Sequence, residues 1–130
     1  MATIFSKIID REIPAYIVAE NDDHIAFLDI NPLKEGHTLV VPKVEVDYIY
    51  DLEDDQLTSL HIFAKKVANA IGKAIPCERI GVTVIGLEVP HAHIHLIPID
   101  GVFDMNFQNP KLKFSSEEFT ETVLKIKSKF

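Results

Sequence analysis

His91-Ala-His93-Ile-His95-Leu-Ile-Pro98 is the stretch whose reading organises the rest of the chain. On a strand the side chains alternate, so His91, His93 and His95 share one face while Ala92, Ile94 and Leu96 share the other. The second set is plain core. The first is not, because each imidazole carries a donor and an acceptor whose burial is costly unless both find partners. Three of the six histidines in the chain fall in these five positions, spaced at the period of the element. Four uses fit such a row: a solvated strand face, a metal site, nucleophilic catalysis by one ring with its neighbours steadying charge, or nucleotide binding without catalysis. The metal use lacks a Cys or a closely spaced carboxylate to complete its ligand set.

Outward from this stretch, Arg79 to Ile85 reads as the preceding strand, joined through Gly86-Leu-Glu-Val-Pro90. Before it, Leu57, Leu60, Ala64, Val67, Ile71 and Ala74 recur at steps of three and four, which predicts a helix over Asp54 to Ile75. Asp51, Glu53, Asp54 and Asp55 sit where the positive end of its dipole favours them, and Pro76 stops it. Tyr16 to Glu20 and His24 to Leu28 read as a hairpin around Asn21-Asp-Asp23, and His37 to Pro42 as a third strand. Ile4 to Asp10 reads as a helical turn. A loop over Asp104 to Pro110 leads to a last helix, opened by the capping box Ser115–Glu118 and striped with Phe119, Val123, Ile126 and Phe130. The expected fold is α+β: an antiparallel sheet with one long helix and a C-terminal helix, in a single domain over residues 1–130. His24 and His61 read as surface or edge residues.

Composition narrows the function classes. The chain is 47% hydrophobic with only five Gly and seven Pro, which favours a packed core over disorder. The single cysteine, Cys77, has no internal partner for a disulfide, as expected of a reducing compartment. No stretch reads as a signal peptide or a membrane span, so a cytoplasmic protein without a membrane partner is expected. A formal charge of −7 argues against polymeric nucleic acid as the partner, though a single nucleotide needs only a few local donors.

Residues 91–97 resemble the histidine triad motif, His-φ-His-φ-His-φ-φ with φ apolar, at every position. Ile4-Phe-Ser-Lys-Ile-Ile9, Glu12-Ile-Pro14, Ala26-Phe-Leu-Asp-Ile-Asn-Pro32 and Gly36-His-Thr-Leu-Val-Val-Pro-Lys43 resemble further signature blocks of that family, in order. The resemblance implies a hydrolase acting on a small purine nucleotide through a nucleotidyl-histidine intermediate, with no cofactor. His93 would be the nucleophile, the His91 carbonyl would fix its tautomer, and His95 would reach the phosphate oxygens. His37 resembles the fourth histidine of the family, near the first motif histidine. Asp29 matches its ribose-binding acid, and a turn-forming Asp is the ordinary alternative. Ile30, Leu39, Phe5 and Ile8 would line the base pocket, with Gly86, Leu87 and Glu88 near the phosphate.

Departures from the family pattern matter too. Thr3 and Ser6 stand where many bacterial members carry a zinc-binding Cys pair, so no metal is expected there. Leu87 stands in place of a Gln that contacts phosphate, an upstream Asn is missing, and Glu88 occupies the place where some relatives have Ser. His95 in place of Gln favours hydrolysis over transfer. The implied activity is that of a nucleoside phosphoramidase, commonly homodimeric through the long helix and a strand edge. The alternatives are a dinucleoside polyphosphate hydrolase and a non-catalytic nucleotide-binding or interaction protein.

Overall fold

The structure, a computed structural model, describes residues 2–130, so Met1 of the expected domain lies outside it. The hairpin forms as expected. Strand β1 (Ile17–Glu20) pairs antiparallel with β2 (His24–Leu28), and β2 pairs with β3 (Thr38–Pro42) from His24 opposite Pro42 to Leu28 opposite Thr38. The chain then crosses through helix α2 (Asp54–Ala74), which follows the short α1 (Ile4–Ile9) in sequence, and returns as β4 (Arg79–Thr83) and β5 (Ile94–Ile99). β5 inserts between β3 and β4, giving the order β1-β2-β3-β5-β4 with every neighbour antiparallel. Helix α3 (Ser116–Lys127) closes the chain, its capping box formed between Ser115 and Glu118.

The sheet is buried on both faces at its centre, and the two faces are unlike. Ala26, Leu28, Val40, Ile94 and Leu96 face Leu60, Ala64, Val67 and Ile71 of α2 in the larger core. The stripe read from the sequence is the one buried, with Phe63 and Ala70 added and Leu57 and Ala74 at its margins. Ile25, Phe27, Leu39 and Val41 take the other face, covered by Phe5 and Ile8 of α1. The six-residue α1 covers this face, where the twenty-one-residue α2 and, beside it, α3 cover the other, so it keeps room for a cavity.

Three expectations need correction. The strand read over His91 to Pro98 starts only at Ile94: the ladder to β4 ends with Thr83 opposite His95, and the ladder to β3 ends with Val40 opposite Ile94. Residues 91–92 are held otherwise, by His91 N–H donating to Val89 O and Ala92 N–H donating to Val46 O. The alternation survives that change: Ala92 lies in the α2-side core. His24 is not a surface residue. It is 5% exposed, its ring stacked on Phe63 and bonded to Asn21 Oδ1 and Ser59 Oγ, because α2 packs over the start of β2. Phe130 lies beyond α3 and is exposed, so it adds nothing to that helix's stripe.

Candidate functional site

His93 sits one residue before β5, where the lead-in segment turns its ring toward α1. Its Nδ1 lies 2.8 Å from the carbonyl oxygen of His91. A carbonyl only accepts, so Nδ1 carries the proton and Nε2 holds the lone pair. Phe5 packs edge-on against the ring at 4.9 Å between centroids. His91 is fully buried, with Nε2 at 2.8 Å from Pro42 O and Nδ1 at 3.1 Å from Thr3 Oγ1. By the same logic Nε2–H donates to the carbonyl and Nδ1 accepts from the hydroxyl. Thr3 also caps α1, accepting from Ser6 N–H. Thr3 and Ser6 thus form a hydrogen-bonded clasp between α1 and the triad.

His95, the second residue of β5, stands opposite Leu39 and Thr83. Its Nδ1 lies 3.0 Å from His37 Nε2, and His37 Nδ1 accepts from Leu33 N–H at 3.0 Å. His37 therefore backs the third triad histidine and not the first, a correction to its expected place. Its own position is set by the 33–37 turn, in which His37 N–H donates to Lys34 O and Gly36 takes φ +89°.

Burial dominates the electrostatics. It is the main cause that pushes His37 down to about 3 and His95 to about 4, and neighbouring charge deepens both shifts. Burial also holds His93 below the ordinary imidazole range, against the opposing effect of its bond to the His91 carbonyl. These rings are neutral near pH 7, so His37 Nε2 and Asp29 Oδ2, 3.7 Å apart, are not an ion pair there. Burial raises the Asp29 carboxyl, opposed by the bond that Oδ1 accepts from Asn31 N–H at 2.9 Å. Asp29 thus makes the turn that was its ordinary alternative, and Oδ2 remains for another partner.

Among the described residues, Asp29, His37 and His95 present metal-ligating atoms within 4.8 Å of one another. The donor set does not fit a divalent ion. With Leu33 N–H pointing at His37 Nδ1, the proton of the neutral ring sits on Nε2, the very atom that would ligate. Coordination there would require an imidazolate.

A cavity of about 390 Å³ lies in front of these rings. Phe5, Ile8, Asp29, Ile30, Leu39, Gly86, Leu87, Glu88, His93 and His95 all line it, so ten of the twelve residues singled out in the sequence meet there. His91 and His37 are behind the wall, buried against the rings they orient. Ile30 and Leu87 are 62% and 88% exposed and form the rim rather than the floor. Gly86 takes φ +76°, a left-handed turn that an L side chain rarely adopts, in the loop between β4 and the triad. Phe107 was missed: its ring packs edge-on to His95 at 4.9 Å and to His37 at 6.1 Å, and it lines the cavity. The signal was an aromatic in the loop after β5, which the sequence pattern alone does not direct anywhere. Leu112 N–H donates to Pro32 O and anchors that loop beside Asp29.

A lone pair backed by a fixed carbonyl, beside a second neutral ring in an apolar-walled cavity, can attack an electrophile or accept a proton. The model of the HIT domain family matches residues 10–102. A HIT-like protein of Borreliella burgdorferi is 36% identical over 131 residues, spanning 95% of this chain and 94% of its own. The adenosine 5'-monophosphoramidase HNT1 of Saccharomyces cerevisiae is 39% identical over 102 residues, 75% of this chain and 62% of that protein. Among solved structures, a Hit-like protein from Bartonella henselae superposes with a TM-score of 0.84 at 33% identity, covering 98% of this chain and 96% of that one. The chain belongs to the histidine triad (HIT) domain family.

Proposed function

We propose that this protein is a nucleotide hydrolase of the phosphoramidase type, using His93 to take the nucleotidyl group from its leaving group. The observation that carries the reading is the 2.8 Å contact from His93 Nδ1 to the His91 carbonyl, in a ring that lines the cavity. In the first step, Nε2 forms a bond to the α-phosphorus and the bond to the leaving group breaks, its electron pair departing with that group. In the second, water attacks phosphorus, the P–N bond breaks, and His93 returns with a nucleoside monophosphate and a proton released. The apolar wall of Phe5, Ile8 and Leu39 suits a base, Asp29 Oδ2 suits ribose hydroxyls, and the backbone around Gly86 suits the phosphate. The phosphoramidase named among the relatives supports the choice of substrate class.

The rest of the reading follows the family resemblance: one domain, a cytoplasmic setting and a homodimer. β4 is an edge strand with Val82 56% exposed, which supports pairing with a second copy. The test of the central role is His93→Ala. Turnover of an adenosine phosphoramidate should fall at least about a thousandfold, while nucleotide affinity by calorimetry changes only a few-fold. Near-wild-type turnover would remove His93 from the mechanism.

A further inference from the structure

Asn21, His24 and Ser59 form a chain of polar groups on the α2 side of the sheet, the face opposite the histidine cavity. Two main-chain amides, from Asp23 at 2.9 Å and His24 at 2.8 Å, donate to Asn21 Oδ1 and so fix that atom as the oxygen. His24 Nδ1 lies 3.0 Å from the same oxygen and therefore carries the proton of the neutral ring. The lone pair is left on Nε2, 3.2 Å from Ser59 Oγ. Only the hydroxyl has a hydrogen to offer in that contact, so Ser59 donates to His24, with Gln56 O at 3.1 Å as the competing acceptor. Phe63 stacks on the ring at 5.1 Å between centroids and holds its plane. Burial keeps His24 below the ordinary imidazole range, with Lys43 adding to the shift and Asp23 opposing it, so the ring is a neutral base near pH 7. Asn21, His24 and Ser59 all line a cavity of about 490 Å³, and Ser59 is exposed there.

We propose that Ser59 is the nucleophile of a second, acyl-transfer centre, with His24 as its base and Asn21 holding the base's tautomer, and that its substrates are small carboxylic esters without negative charge. A serine hydroxyl on an imidazole, whose far nitrogen is held by an oxygen, is the arrangement that activates serine. In the first step Ser59 Oγ forms a bond to the carbonyl carbon as its proton passes to His24 Nε2. The ester C–O bond then breaks, and the alcohol leaves with that proton. Water attacks the acyl-serine and gives a proton to His24, and the carboxylic acid departs as Ser59 Oγ takes the proton back. Asn21 Nδ2, the Thr58 hydroxyl and the Lys66 ammonium are the donors on the cavity wall for the carbonyl oxygen as charge develops on it. Ile62 and Phe63 give an apolar wall to the acyl chain, and the carboxylates of Asp23 and Asp55 turn anionic esters away. Asn21 is a positioning residue in this scheme. The centre shares no residue with the histidine cavity and does not depend on the proposed function.

The test combines a fluorophosphonate probe, which phosphonylates activated serines with loss of fluoride, and p-nitrophenyl acetate as the ester. Both are applied to the unaltered protein and to His93→Ala, because a nucleophilic His93 would itself cleave an activated ester. The expected result is one phosphonyl group per chain, mapped to Ser59 by peptide mass spectrometry, in both proteins. Ester turnover should survive in His93→Ala and fall on the order of a hundredfold when Ser59→Ala is added. Ser59 is exposed, so that change leaves the core intact, whereas a substitution of buried His24 would disturb it. Asn21→Ala should slow labelling several-fold, and Asn21→Asp, whose carboxylate accepts the same three bonds, should restore it. The anionic mono-p-nitrophenyl succinate should react several-fold more slowly than the acetate, and equal rates would overturn the substrate class. No label at Ser59, or ester turnover in His93→Ala that is unchanged by Ser59→Ala, would overturn the centre itself.

Discussion

The four histidine rings of the site hold eight nitrogens, and six of them are taken by protein partners: Thr3 and Pro42 at His91, the His91 carbonyl at His93, Leu33 and His95 at His37, and His37 at His95. The two that remain are a lone pair on His93 Nε2 and an N–H on His95 Nε2, an acceptor and a donor side by side on rings 5.0 Å apart. That pairing is what a phosphoryl group requires, one atom to attack phosphorus and one to steady its oxygens. Asp29 is the residue with a divided task, because Oδ1 is spent on the Asn31 turn. In Asp29→Asn the turn survives, since Asn makes the same bond. Charge-assisted bonds to ribose are lost, however, at roughly 1.5–3 kcal/mol for the pair. Ribonucleotide affinity by calorimetry should drop about ten- to a hundredfold while 2',3'-dideoxynucleotides change little. Equal losses would leave Asp29 as a turn residue only. The period of the triad made His93 and His95 legible in the sequence. His24 was not legible, because the groups that bury it, Ser59 and Phe63, arrive on a helix packed from elsewhere in the chain. The Leu33–His37–His95 chain was likewise hidden, since nothing local in 33–37 reports which ring it will meet.

At the scale of elements, the regular pieces were legible and the loops that shape the site were not. α2 carries a long apolar stripe between an acidic start and Pro76, so both its ends fall within a residue of expectation, and α3 starts at its readable cap but stops at Lys127, short of Phe130. The start of β5 moved by three residues because pairing, a property of β4 and β3, overrode alternation, a property of β5 alone. The segment between Thr83 and His91 depends on Gly86 at φ +76°, and it carries Leu87 out to the rim. A Gln at that position can reach inward along the rim and donate to a phosphate oxygen, where a well-placed donor is worth up to roughly 3 kcal/mol as charge develops. Leu87→Gln should therefore raise kcat several-fold with a smaller change in KM, as steady-state kinetics would show. An unchanged kcat in a folded variant would mean that the loop keeps residue 87 away from the phosphate.

For the whole molecule, the same burial that readies the rings ties stability to pH. His37 and His95 hold folded values of about 3 and about 4 against roughly 6.5 in an unfolded chain. Between those limits the unfolded chain binds more protons, so stability is complete above about pH 6.5 and declines as pH falls toward 4. His93 and His24, also lowered chiefly by burial, act in the same sense. Asp29, raised by burial, opposes it only in the carboxylate range. The melting temperature should drop by roughly 5 °C or more from pH 7 to pH 5, and by less in His37→Phe; a flat profile would mean that the rings are not desolvated. What joins these scales is the claim that His93 forms a bond to phosphorus, and the mass of the intact protein reports it. After brief mixing with an adenosine phosphoramidate and acid-free quenching, the account predicts a species heavier by one adenylyl group that is absent from His93→Ala. Turnover of the same substrate with no adduct at any mixing time, or an adduct that persists in His93→Ala, would contradict it.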